Sequence, residues 1–406
     1  MLNLTTEYYT SELLGFSCDD FVFLSSNKSL HAQGCFAKIT TPANHHDYIG
    51  NLLSGNPLKG NPLSDNLSQL FHQAEQAGIK NPIVVGAIPF DKQQPSALYI
   101  PYEHRWLERE TLHFSALSPM PWLQLQQSHL WPAKAGFCQM VFQAVDAIRY
   151  GLLDKVVLSR LLDIEFDRKP DTIRLFMQLN AQNPYSYNFH LPLENSTLIG
   201  ASPELLLRKQ GNTIISQPLA GSSRRSRNIA EDKALRQSLL HSAKDQHEHQ
   251  LVINAIRTAL AEHCTELLIP DSPSIFSTPL LWHLATEIRS ELRNKHADSL
   301  SIASLLHPTP ALCGAPRERA YELIAQLEPF KRNYFGGIVG WCDAKGNGEW
   351  VVAIRCGEVF ENHIRLFAGA GIVADSQPNA EWQETGVKLG TMLQALGLSE
   401  NKEHVL

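Results

Sequence analysis

Apolar positions along this chain switch repeatedly between a period of two and a period near 3.6, the respective marks of strands and helices. Leu67, Leu70, Phe71 and Ala74 stand at i, i+3, i+4, i+7 and predict a helix capped by Ser64 or Asp65. PIVVGAIPF and SALYIPYEHRW then read as strands. Residues 133–150 predict an amphipathic helix leading into the strand KVVLSRLLDIEF, and Pro170 opens another helix. STLIGASPELLLRKQGNTIISQPLAG reads as a hairpin turning at Gln210–Asn212. A polar helical tract follows from about Ile229 to Glu262; HLATEIRSEL alternates as a strand, and PRERAYELIAQLE begins with a proline suited to a first helical turn. YFGGIVGWC, WVVAIRCGEVF and HIRLFAGAGIVA are three further strand-like runs, and a final helix closes the chain. Strands outnumber simple βαβ units, so the pattern favours an α+β or mixed α/β fold over a doubly wound parallel sheet. No linker divides the chain. Residues 1–130 and 131–400 read as parts of one body, although 406 residues would allow two or three domains. The repeat of GNPL within GNPLKGNPLSDN is too short to be a structural repeat and marks a loop.

Composition narrows the function classes. A net charge of −6 supplies no basic surplus for nucleic acid, so an anionic ligand would need local cations or a metal ion. Seven scattered cysteines without a C-x-x-C predict reduced thiols rather than a disulfide framework or a zinc cluster. MLNLTTEYYTSELLGF lacks the charged and apolar blocks of a signal peptide, and no run reaches the ~20 apolar residues of a membrane span. A cytoplasmic protein is expected.

Four groups of residues carry candidate chemistry. In SQPNAEWQETGVK, residues 376–388, Glu381, Glu384 and Lys388 are spaced i, i+3, i+7 and share a helix face. KDQHEHQLV, residues 244–252, repeats the acidic spacing with Asp245 and Glu248, followed by His249. Two such pairs on facing helices can hold Mg²⁺, which takes one or two carboxylates, waters and an anionic substrate. The same spacing equally describes two solvated faces, with Glu384 and Lys388 forming an i, i+4 ion pair. HEH is not the H-E-x-x-H of zinc proteases. Lys155, heading an apolar strand, either snorkels to solvent or is withdrawn from water and acts as a base. Glu204 in GASPELLL is either a strand-edge surface carboxylate or a buried general acid. Gly369 and Gly371 in AGAGIVADS form no dinucleotide motif, but strand glycines can admit a ligand to the backbone amides. Arg355, inside VVAIRCGEV, is either the cation for that ligand's carboxylate or a structural arginine.

Taken in order, these motifs resemble the chorismate-utilising enzymes, which include anthranilate, aminodeoxychorismate, isochorismate and salicylate synthases. DKVVLSR, IGASPELL, QPLAGS, KDQHEHQLV, HLATEIRSEL, HPTPALCGAP, YFGGIVGW, AIRCGEV and AGAGIVADSQPNAEWQETGVK carry the resemblance over roughly residues 135–396. SELLGF fits the siderophore-type isochorismate synthases. Ala220 stands where aminodeoxychorismate synthases have a nucleophilic lysine, and Lys155 where anthranilate synthases have a glutamine. Leu312 and Phe335 match apolar positions typical of members that release isochorismate; salicylate-forming members are more polar there. Two departures stand out: the G-T-R-x-R of the family appears as Gly221 to Ser226, GSSRRS, and Asp245 replaces a longer glutamate.

The resemblance implies a sandwich of large sheets flanked by helices, a chorismate substrate and Mg²⁺ held by Glu248 and Glu384, with Asp245 and Glu381 on its waters. It implies Lys155 as base for water and Glu204 as acid for the departing hydroxyl. Arg355 with the amides at Gly369 and Gly371, and Lys388, would receive the substrate's two carboxylates. Ala220, Gly221, Ser222 and His283 would complete the pocket. It further implies a monomer without a glutaminase subunit, and a place in catechol siderophore synthesis, with menaquinone synthesis or a salicylate synthase as the alternatives.

Overall fold

The computed structural model describes residues 15–39, 62–108 and 123–398. Its helices are α1 (Pro62–Gln76), α2 (Lys134–Arg149), α3 (Thr172–Gln182), α4 (Ile229–His241), α5 (Ala243–Ala261), α6 (Ser299–Leu306), α7 (Arg317–Leu327) and α8 (Pro378–Ala395). Most strands fall into two large sheets whose paired strands run antiparallel. The first runs from Gly314–Ala315 through Lys155–Phe166, His363–Ile372, Cys356–Val359, Thr197–Ser202 and Tyr187–Pro192 to three N-terminal strands, Phe21–Leu24, Ser29–Gln33 and Glu103–Leu107. The second runs from Cys264–Leu268 through Ile288–Leu292, Thr213–Gln217, Leu205–Gln210, Gly348–Val352 and Ile338–Asp343 to Ile83–Ile88, Ala97–Ile100 and Ala37–Ile39. A small third sheet joins Leu219–Arg224, Leu281–Ala285 and Ser274–Ser277.

The inner faces of the two large sheets pack through Phe23, Leu191 and Leu198 on one side and Val85, Trp341 and Val351 on the other. Each such side chain withdrawn from water contributes about 1.5–3 kcal/mol before entropy is counted. On the outer face of the first sheet, Phe176 of α3 and Leu389 and Leu393 of α8 cover Leu162 and Leu366, while α2 and α7 cover Val156 and Ile372. Outside the second sheet, α1, α5 and α6 bury Leu67, Val252 and Leu300 against Leu207 and Ile338. The architecture is the expected mixed α/β one, a sheet sandwich flanked by helices.

Several runs that read as single elements are broken, and each break has a cause. STLIGASPELLL is two strands in different sheets, parted at Pro203, which cannot donate to a ladder. WVVAIRCGEVF likewise crosses from the second sheet to the first, through Arg355 in the left-handed region at φ +50°. HLATEIRSEL leaves the small sheet after Ala285 and enters the second sheet at Ile288. The tract from Ile229 is two helices, because Ser242 adopts an extended backbone and caps α5 by accepting from the Asp245 amide. Helix α1 begins at Pro62, so Ser64 and Asp65 lie within its first turn. Helix α3 begins at Thr172, capped by the Asp171 side chain, two residues after Pro170. The first GNPL, and SELLGF as far as Leu14, lie outside the described residues.

Candidate active site

The two crossings between sheets deliver Glu204 and Arg355 to one cleft, whose empty volume is about 620 Å³. The third sheet adds Ala220, Gly221, Ser222 and His283, and the first sheet adds Gly369 and Gly371. Leu312 and Phe335 form an apolar wall, α5 contributes Glu248, and α8 contributes Glu384 and Lys388. Lys155, Asp245 and Glu381 stand behind this lining. Val157, Pro203, Leu219, Ala311 and Ile354 also line the cleft. The sequence reading passed over them because apolar residues beside motif positions look like ordinary core.

Lys155 does not snorkel. Its side chain is 0 % exposed, with Nζ 2.9 Å from Glu248 Oε1 in an ion-pair contact whose angles are not those of a hydrogen bond. Gly371 makes this contact possible: a Cβ there would stand 2.0 Å from Glu248 Oε1 and 3.0 Å from Lys155 Cε. The glycine therefore opens space for two side chains of the chain itself, a role the reading of AGAGIVADS had reserved for a ligand. At Gly369 the carbonyl accepts from Lys388 Nζ at 2.8 Å.

Glu204 is 3 % exposed. Burial pushes its carboxyl up to about 7, against the opposing pull of the Leu219 amide and of Lys155, Arg355 and Lys388. The strand-edge surface reading is thereby excluded. Arg355 is buried in its left-handed backbone, a conformation that costs roughly 1–3 kcal/mol. Burial lowers its guanidinium to about 10, opposed by Glu384 and Glu204, so it stays charged at neutral pH. His283 is buried, with Nε2 lacking a hydrogen-bond partner among the described residues. Burial, with Arg355 and Lys388 nearby, drives it well below its ordinary value and keeps it neutral.

Each acid of the two i, i+3 pairs is held by a neighbour. Glu384 Oε1 lies 2.6 Å from Lys388 Nζ and accepts from Ser222 Oγ at 3.1 Å. Glu381 Oε1 lies 2.6 Å from Lys244 Nζ, and Asp245 accepts from the Ser242 hydroxyl. The i, i+4 pair anticipated for a solvated stripe is therefore present, but it faces the cleft. Burial would raise Glu384, yet Lys388, Lys244 and Ser222 hold it below the ordinary carboxylate range. Glu381 is raised by burial and by Glu384, while Asp245 is raised by burial and by Glu248 and Glu384. That mutual repulsion places the acids of the two helices in one electrostatic field. The donors are hard carboxylate oxygens, the chemistry a magnesium ion takes. Among the described residues no three acids or histidines converge on one point, so the carboxylates would have to turn from their lysines to hold an ion.

The altered GSSRRS segment has a structural outcome. Arg224 pairs with Glu231 at 2.6 Å, while Arg225 forks onto Asp232 and lies over Trp282, its guanidinium carbon 3.8 Å from the ring centre. Neither arginine lines the cleft. Behind the cleft, Arg160 donates to Thr385 Oγ1 at 2.8 Å and lies over Trp382, fastening the Lys155 strand to α8 at the residues that directly follow Glu381 and Glu384. A lone arginine inside an apolar run carries no sequence signal for that task.

The profile of chorismate binding enzymes matches residues 100–397. The isochorismate synthase EntC of Escherichia coli K12 is 48 % identical over 381 residues, 93 % of this chain and 95 % of its own. The isochorismate synthase DhbC of Bacillus subtilis is 40 % identical over 352 residues, 82 % and 86 % of the two chains. The crystal structure of DhbC from Bacillus anthracis, described as a 2,3-dihydroxybenzoate-specific isochorismate synthase, superposes with a TM-score of 0.85 at 40 % identity, covering 95 % of this chain and 98 % of that one. With a family match over most of its length and relatives this close, the chain belongs to the chorismate binding enzymes.

Proposed function

We propose that the protein is an isochorismate synthase, an isomerase that adds water at C2 of chorismate while the C4 hydroxyl departs. The observation that carries this reading is a buried acid, Glu204, raised by burial to about 7 so that it keeps a proton to give near neutral pH, in a cleft backed by a buried lysine, Lys155. Lys155 takes a proton from the attacking water. The new C2–O bond forms as the ring's two double bonds shift, and the C4–O bond breaks. Glu204 gives its proton to the departing hydroxyl, which leaves as water. Arg355 receives the enolpyruvyl carboxylate, and Lys388 assists with the ring carboxylate. His283, neutral, lies beside the reacting face without adding charge. Leu312 and Phe335 exclude water from the rest of the ring.

Glu248 and Glu384 would hold Mg²⁺, with Asp245 and Glu381 on its waters. A bound magnesium ion supplies positive charge for the ring carboxylate and so completes the neutralisation of a dianion. The Lys155–Glu248 contact would loosen as Glu248 turns toward the ion, leaving the amine free for water. Ala220 leaves no lysine to attack the ring covalently, and no glutaminase partner is needed for a water nucleophile. The solved structure named for 2,3-dihydroxybenzoate, a catechol, favours catechol siderophore synthesis as the destination of the product.

Product analysis tests the reading. Purified protein with chorismate and Mg²⁺ should give isochorismate without pyruvate; stoichiometric pyruvate would make it a salicylate-forming lyase instead. For the metal, Glu384→Ala should raise the Mg²⁺ concentration for half-maximal activity by roughly tenfold or more, the cost of losing one charged ligand contact of 1.4 kcal/mol or above. An unchanged titration would return Glu384 to its ion pair with Lys388.

A further inference from the structure

The Lys155–Phe166 strand is covered without a break on its His363–Ile372 side, from the Val156–Ile372 pair to the Glu165–His363 pair. Its other edge is interrupted. Gly314–Ala315 pairs with Val156 and Lys155, and Leu125–Trp131 takes over only from Leu161. Between them the buried backbone must find other partners. The Val157 amide donates to Cys313 O at 2.7 Å. Two further groups are met by side chains: the Ser159 amide donates to Glu328 Oε1 at 2.7 Å, and Arg332 Nη2 donates to Val157 O at 2.7 Å.

Glu328 and Arg332 are themselves paired, Nε to Oε2 at 2.8 Å, with side chains 1 % and 2 % exposed. Arg332 Nη1 also donates to Leu312 O at 2.8 Å. One guanidinium thus ties together Val157 and Leu312, both of which line the cleft. Across the sheet, Val157 stands opposite Gly371 and Ser159 opposite Gly369. Lys155 is two residues along the same strand. Stability alone is a weak reason for such a pair, because buried ion pairs are often replaced by apolar residues at no cost. A planar fork that serves two carbonyls and a carboxylate at once has a geometric reason instead.

We infer that Glu328 and Arg332 are a positioning pair for the reaction: they replace the missing strand beside Val157–Ser159 and hold the Lys155 strand and the Leu312 wall at a fixed separation. This rests on the reading of Lys155 as the base. Arg332→Lys keeps the charge but loses the fork, so it cannot hold Val157 O, Leu312 O and Glu328 together.

The test measures kcat and KM for Arg332→Lys alone and in a Lys155→Ala background, per folded molecule. The expected result is a fall in kcat of ~10–100-fold with KM within about threefold, the scale of a small misplacement of a reacting group. In the Lys155→Ala background the same change should cost less than about threefold, because residues acting as a unit are not additive. Faster hydrogen exchange in a peptide containing Val157–Ser159 should accompany the loss. Should Arg332→Lys fold poorly, Glu328→Gln serves, since it keeps an acceptor for Ser159 and loses the one for Arg332 Nε; the same non-additivity is expected. A wild-type kcat in the folded variant, or equal fold losses in both backgrounds, overturns the positioning role. Normal turnover of Lys155→Ala by itself is a separate outcome: it removes the base reading and with it this route through Lys155.

Discussion

Lys155→Ala should lower kcat by ~10²–10⁴, the usual contribution of a positioned general base. The lysine lies at the head of a strand whose neighbours are fixed on both edges, with its side chain wholly enclosed. Among the other described bases of the cleft wall, His283 lies on the third sheet and Lys388 is engaged with Glu384 and Gly369 O. Substrate affinity should change little, since the proposed receivers of the carboxylates are Arg355 and Lys388 and not Lys155. The variant also leaves Glu248 without its cation, so turnover must be expressed per folded molecule. A near wild-type kcat would remove Lys155 from the chemistry.

Glu204→Gln should cost kcat a comparable ~10²–10⁴, because the amide cannot protonate a leaving hydroxyl. It should have an opposite effect on stability. The carboxyl is raised from its ordinary value to about 7 by burial, so the folded protein binds this proton more tightly than the unfolded chain does. Its contribution is present below the ordinary carboxylate range and is lost as pH rises through about 7. At pH 8 the wild type therefore carries a poorly solvated anion, a burden on the order of 3 kcal/mol for a shift of this size. Glutamine relieves it and can still accept from the Leu219 amide. The variant should melt above the wild type at pH 8, and the difference should close toward pH 5. A break near pH 7 in the wild-type profile of kcat/KM should vanish in the variant. Equal melting curves at both pH values would mean that Glu204 is not held neutral by the fold.

The sequence made the architecture legible where periodicity and motif order sufficed. KVVLSRLLDIEF is the strand it reads as, and the final helix does carry Glu381, Glu384 and Lys388. It was silent where the chain changes sheets. ASPELL carries a local break at Pro203, but neither it nor AIRCGE, apolar on both sides of the crossing, shows that the strand passes to the facing sheet. Those crossings place Glu204 and Arg355, so the convergence of the cleft was not visible from spacing, which left open whether Lys155 snorkels and whether the acids form solvated stripes. The family resemblance is what pointed the other way. The Glu328–Arg332 pair was invisible for a related reason: its task is set by an interruption in a sheet edge, a tertiary feature with no local signature.

If this chain adds water from solvent at C2 of chorismate and expels the C4 oxygen, the new hydroxyl carries the solvent's oxygen. The direct measurement is turnover of chorismate with Mg²⁺ in ¹⁸O-enriched water, stopped at low conversion and read by mass spectrometry. Isochorismate carrying one ¹⁸O at C2, without pyruvate, is the predicted result. Unlabelled isochorismate, or no isochorismate at all, would contradict it.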